Sequence, residues 1–120
     1  YTQENRSYPD QKPEVSAPGV LLFSTTSTQI EPPYAYSTGT SDSTALVTGA
    51  LALILELYGT ALAGDDGVID AEEMEIVKRS LASSCDKSGI DGSPHDVRGG
   101  YGFLDAVQWA SDIAFELNLA

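Results

Sequence analysis

Gly39-Thr40-Ser41-Asp42-Ser43-Thr44-Ala45-Leu46-Val47-Thr48-Gly49-Ala50 passes from hydroxyls to aliphatics within a few residues. Ser and Asp favour helix starts, because their oxygens can accept the free N–H groups of the first turn. The segment from about Ser43 to Leu57 then carries Ala45, Leu46, Val47, Ala50, Leu51, Leu53, Ile54 and Leu55 on nearly every side. A helix apolar all round needs cover on all sides, and Gly59 is a plausible stop. Such a helix predicts a core larger than the rest of this chain can build.

Outward toward the N-terminus, Val20-Leu21-Leu22-Phe23-Ser24-Thr25-Thr26 predicts a strand, and Glu31-Pro32-Pro33 breaks it. Tyr34-Ala35-Tyr36-Ser37-Thr38 can return as its antiparallel partner. Ahead of this hairpin, Pro13-Glu14-Val15-Ser16-Ala17-Pro18-Gly19 is extended and turn-rich. Toward the C-terminus, Asp70-Ala71-Glu72-Glu73 opens a second helix with Asp70 as its cap. Met74, Val77 and Leu81 follow at helical spacing. Asp86 to Gly102 is a Gly/Asp-rich loop. Phe103 to Leu119 predicts a third, amphipathic helix, with Leu104, Val107, Ile113, Ala114 and Leu117 toward the core.

The composition narrows the partners. With 120 residues the chain suits one domain at most. Eighteen acidic residues face six basic ones, a formal net charge of -12. Phosphate backbones and anionic membrane surfaces would repel it, so neither nucleic acid nor membrane is expected as a partner. The longest apolar run, Ala45 to Leu55, is shorter than the ~20 residues that cross a bilayer. The single cysteine, Cys85, has no second thiol to pair with, and it is expected as a small buried hydrophobe at a helix end.

Three ordered stretches resemble segments of the subtilisin-like serine proteases, the subtilases (peptidase family S8). Lys12-Pro13-Glu14-Val15-Ser16-Ala17-Pro18-Gly19 is similar to that family's Lys-Pro-Asp-Val-x-Ala-Pro-Gly. Gly39 to Ala50 resembles Gly-Thr-Ser-x-Ala-x-Pro-x-Val-x-Gly around the nucleophile. Gly100-Tyr101-Gly102-Phe103-Leu104-Asp105-Ala106 looks like the Gly-x-Gly-x-x-Asn/Asp-Ala segment near the end of the catalytic domain. The sequence departs after the serine: Asp42 follows it directly, Ser43 stands for Ala, Ala45 for Pro and Leu46 for the common His.

The resemblance implies the C-terminal portion of a subtilisin-like α/β fold across residues 1–120. It implies peptide-bond hydrolysis through an acyl-enzyme on Ser41. A helix N-terminus suits that chemistry, because its unpaired N–H groups and positive dipole favour an oxyanion. Ser41 and Thr40 are the expected oxyanion-supporting residues, and Gly39 is the expected point of close substrate approach. In the order Asp, His, Ser the serine comes last, and subtilisin itself is the general reference for that order. No histidine precedes Ser41 here. The triad Asp and His are therefore expected from an N-terminal part of the same domain, and this chain alone is expected to be inactive. The resemblance further implies secretion and a polypeptide substrate.

The alternative is a subtilase-like domain without catalysis, used for structure or binding, in which Ser41 merely caps a helix. No cofactor is required by the chemistry, and no metal ligand set is assigned. Structural calcium is the one ion the sequence leaves open. Asp65 to Glu73 resembles the second half of an EF-hand loop, but Leu62 and Gly64 stand where the first two ligands belong. The loop holding Asp86, Asp91 and Asp96 could also take calcium. Tyr34, Tyr36 and Tyr101 are expected to be packing residues.

Overall fold

The computed structural model describes residues 6–91 and 94–119. Among them two strands form one antiparallel hairpin, β1 (Leu22–Thr25) and β2 (Tyr34–Ser37). Three helices follow, α1 (Thr40–Ala63), α2 (Ala71–Ser84) and α3 (Ala106–Glu116), so the class is mixed α and β. The hairpin register pairs Leu22 with Ser37, Phe23 with Tyr36 and Thr25 with Tyr34. That alternation puts Phe23, Tyr34 and Tyr36 together on one face. Phe23 stacks on Tyr34 with ring centroids 5.6 Å apart and tilts against Tyr36 at 5.2 Å. All three rings remain exposed, and Tyr34 and Tyr36 pack on Phe23 outside both buried clusters.

The α1 helix is longer at both ends than its sequence suggests. It begins at Thr40, behind Gly39 as N-cap, and runs through Gly59 to Ala63. A Cβ at Gly59 would meet only Leu55 Cβ, at 4.0 Å, so nothing at that glycine requires a stop. The chain turns at Gly64, whose φ of 63° lies in the left-handed region that favours glycine. Its buried residues are Ile54 and Leu62, while Leu46, Leu53 and Leu57 stay exposed. The expectation of an under-covered helix is met. Length no longer argues against a bilayer, however. Thr40–Asp66 is long and apolar enough to cross one by length and composition, with only 11% of its most apolar window buried.

Helix α2 starts as its sequence dictates. Asp70 Oδ1 accepts from Glu72 N–H at 2.8 Å, and Glu73 Oε2 accepts from Asp70 N–H at 3.0 Å, a reciprocal capping box. Helix α3 begins three residues later than expected. Asp105 is its N-cap and accepts from Gln108 N–H at 2.9 Å, which leaves Phe103 and Leu104 in the preceding extended segment. Val107, across the helix from buried Trp109 and Ile113, is 83% exposed, in contrast to its expected core position. Ile54, Leu62, Val77, Trp109 and Ile113 form the main core, with Leu104 and Leu117 packed at its edge. The Trp109 indole N–H, in this buried setting, donates to Val77 O at 3.1 Å and ties α3 to α2.

A second small core joins Ala82, Cys85 and Tyr101, with Val15 packed against it. Its frame is a set of long-range backbone bonds. Tyr101 N–H donates to Glu14 O at 2.7 Å, Ser16 N–H to Gly102 O at 2.9 Å, and Leu104 N–H to Ser16 O at 2.8 Å. On its other side Phe103 exchanges two bonds of 2.8 Å with Asp86. Gly100 makes the close approach feasible. With φ at 67° it lies so near residues 13–14 that a Cβ would sit 2.8 Å from Pro13 O. His95 braces the same place, its Nε2–H donating to Pro13 O at 2.8 Å and its ring edge-on to Tyr101 at 4.9 Å.

Candidate active site

The turn from β2 into α1 is built from small residues and hydroxyls. Gly39 N–H donates to Gly19 O at 2.7 Å, so the N-cap hangs from the extended segment before the hairpin. Ser43 Oγ–H is shared between Ala17 O and Pro18 O, both at 3.0 Å, a second tie to the same segment. Thr38 Oγ1 accepts from Leu21 N–H at 2.9 Å and closes the base of the hairpin. Leu21 has a φ of 51°, a left-handed conformation uncommon for a leucine. Gly19 is required by space: a Cβ there would lie 2.8 Å from Gly39 O and closer still to Ser43 Oγ.

Ser41 occupies the first turn of α1, and it is exposed. Gly39 is the N-cap and no side chain caps the helix, so Ser41 is not a capping residue. Its hydroxyl has no hydrogen-bond partner among the described residues. First-turn N–H groups have no intrahelical acceptor, and the Ser41 N–H finds none elsewhere among the described residues. Thr40 is the first helical residue; its carbonyl accepts from Thr44 Oγ1 at 2.9 Å. The expected trio of Gly39, Thr40 and Ser41 thus lies together at one helix end, accessible to a ligand. That arrangement can offer an attacking hydroxyl and backbone N–H donors to one carbonyl group.

Three supporting residues were not read from the sequence as parts of this site. Ser43 stood only as a departure from a small alanine, yet it is the clamp to residues 17–18. Ser37 donates to Asp42 Oδ2 at 2.9 Å. Gly19 gives the clearance that both ties need. Ser37 and Ser43 carry hydroxyls close to the helix start, but only the fold shows what each one reaches. A groove of about 480 Å³ runs between residues 13–17 and the α1 face of Thr40, Ser43, Thr44, Val47 and Thr48. Ser41 does not line it.

Other candidate groups are occupied elsewhere. His95 is held by Pro13 O and Tyr101 rather than by Ser41. Burial pushes the Cys85 thiol up to about 11, more than nearby Lys87 draws it down, so it is a structural thiol. Among the described residues no three His, Cys, Asp or Glu side chains converge as a metal site. Asp66 Oδ1 accepts from Val68 N–H, and Asp70 caps α2. Asp86 accepts from Ser88 N–H. Asp96 accepts from Asp91, Arg98 and Gly99 N–H groups at 2.6–3.0 Å. These carboxylates fold the acidic turns around themselves.

Neither a curated protein nor a solved structure matches the chain. A family profile does: that of the subtilase family, peptidase S8, over residues 2–102. The match takes in the extended segment, the hairpin, the whole of α1 and the Gly100-Tyr101-Gly102 segment that locks residues 14–16. A profile that spans most of the chain, together with a serine presented at the glycine-capped start of its longest helix, places this chain in the subtilase family of serine peptidases.

Proposed function

We propose that this chain is the C-terminal, nucleophile-bearing part of a subtilisin-like catalytic domain, and that Ser41 hydrolyses peptide bonds through an acyl-enzyme. The observation that carries the reading is the presentation of Ser41: exposed, in the first turn of α1, behind a glycine cap pinned to Gly19. In this reading Ser41 Oγ bonds to the peptide carbonyl carbon while a base takes its proton. The carbonyl oxygen becomes an oxyanion facing the Ser41 N–H, supported by the first turn at Thr40. Collapse expels the amine, which takes the proton back, and water then releases the acyl group by the same steps reversed. Gly39 carries no side chain to obstruct the approaching substrate backbone.

The base is supplied by residues outside these 120, from the upstream part of the domain or a partner chain. The sole histidine, His95, is already bonded within its own loop. The same upstream part would cover Leu46, Leu53 and Leu57, which favours a domain-core role for α1 over a bilayer. Secretion and structural calcium belong to this reading as expectations of the family.

Labelling of the natural full-length or two-chain protein with a fluorophosphonate tests the reading. Ser41→Ala should abolish labelling while leaving the fold intact. A folded, mature protein that does not label would overturn it, and would favour a subtilase-like domain used for binding or structure.

A further inference from the structure

Asp42 follows the proposed nucleophile directly, and its carboxylate is fixed in place. Oδ2 accepts from Ser37 Oγ at 2.9 Å, and the same oxygen would lie 3.7 Å from a Cβ on Gly39. The carboxylate is thus folded back over the N-cap toward the end of β2, beside the helix end that presents Ser41. The ion pairs among the described residues join Lys12 to Glu14, Lys78 to Asp10 and Arg79 to Glu116. None of them engages Asp42, whose half-buried side chain sits at the rim of the site.

A carboxylate in the first turn of a helix interacts favourably with the helix dipole, and that alone would be a structural role. The tie to Ser37 adds something the dipole does not need. It holds the charge at one place between two elements, next to the residue that substrate must reach. Consecutive Cα atoms are only about 3.8 Å apart. A Cβ on Gly39 would lie 3.7 Å from Asp42 Oδ2 and 3.8 Å from Ser41 N, so the carboxylate stands on the N-cap side beside the N–H to which a substrate carbonyl would be drawn. Substrate would meet a carboxylate there that no ion pair among the described residues engages, with Arg98 lining the neighbouring groove beside Thr40 and Ser43.

We propose that Asp42, positioned by Ser37, is a specificity determinant that favours cationic side chains beside the scissile bond and disfavours acidic ones. The inference rests on Ser41 being the nucleophile. At a separation of about 7 Å and an effective dielectric of about 40, exchanging a substrate Lys for Glu should change kcat/KM about 10-fold once screening at ~0.05 M salt is included.

The test uses the natural full protein, first labelled with fluorophosphonate, then assayed on peptides carrying Lys, Gln or Glu at each position flanking the cleaved bond. The wild-type Lys-to-Glu ratio of kcat/KM should be about 10 at ~0.05 M salt and fall to about 2 at ~0.5 M. Asp42→Asn should bring the ratio close to 1 at both salts, and Ser37→Ala, which frees the carboxylate, should give an intermediate value. A merely structural Asp42 would alter stability without altering this ratio or its salt dependence. A wild-type ratio near 1, or one unchanged in an Asp42→Asn protein that still labels, overturns the inference and leaves Ser41 standing. If Asp42→Asn does not fold, an unchanged ratio in Ser37→Ala overturns it instead. Absence of labelling in the wild type overturns the nucleophile reading, and the inference with it.

Discussion

Gly19→Ala tests whether the site depends on close approach rather than on the serine alone. A Cβ there would lie 2.8 Å from the backbone oxygen of Gly39, and nearer still to Ser43 Oγ. Ser43 can swing away only by releasing Ala17 O and Pro18 O, which removes about 0.5–1.5 kcal/mol. Gly39 O cannot swing, because it accepts from Asp42 N–H at 3.1 Å and Ser43 N–H at 3.4 Å at the helix start. Relieving that overlap by moving backbone costs about 1–3 kcal/mol. Alanine stiffens the unfolded chain, which offsets about 0.4–1 kcal/mol. The net expectation is a loss of about 1–3 kcal/mol, read from urea unfolding of the full protein. Because the shift falls on the turn that seats Ser41, fluorophosphonate labelling should slow by about 10- to 100-fold. Ser43→Ala in the same chain removes one of the two overlaps and should restore part of the stability, a coupling that a double-mutant cycle measures. A Gly19→Ala protein that unfolds and labels like wild type would refute the argument.

Two further outcomes follow from the helix α2 region. The Asp70 carboxyl is held below its ordinary 3.8, first by its side-chain interaction with Glu73 and then by the Glu72 N–H. A depressed carboxylate stabilises the fold fully above its unfolded value, and that contribution is lost as pH falls through the lower folded value. Asp70→Ala should therefore lower the melting temperature at pH 7, and the gap to wild type should narrow in strong acid; a gap independent of pH would show that the carboxylate charge adds nothing to the cap. Cys85, raised to about 11, should react with iodoacetamide at pH 8 far more slowly in the native protein than after unfolding in urea. Equal rates would show that the thiol is neither buried nor raised.

The local parts of this structure were legible because local chemistry fixes them. The Asp70–Glu73 box is a pattern of four residues whose partners lie within one turn. The hairpin follows from two β-rich runs with a proline break between them. The end of α1 is not legible at Gly59, because a glycine mid-helix is tolerated and the positive-φ turn that ends the helix falls at Gly64. Val107 differs from its expected core position because the buried face of α3 is set by Trp109 and Ile113, and Val107 lies on the far side of the helix from both. The grip of residues 14–16 on 101–104 leaves no periodic trace, since it pairs backbones far apart in sequence. Within the site, Gly39, Thr40 and Ser41 were named together from one contiguous stretch. The roles of Gly19, Ser37 and Ser43 depend on where β2 and the extended segment come to lie.

The short run from Glu14 to Gly19 has two allegiances. Its first half is bonded to Tyr101, Gly102 and Leu104, and its second half holds Ser43 and Gly39. Chains are made from the N-terminus, so Ser41 and its helix emerge long before Tyr101 to Leu104 exist. Until those residues arrive, the carbonyls that seat Ser43 belong to a segment tied only at its second half, to Ser43 and Gly39. The turn that seats Ser41 therefore gains its full set of ties only when Tyr101 to Leu104, far along the chain, have been made.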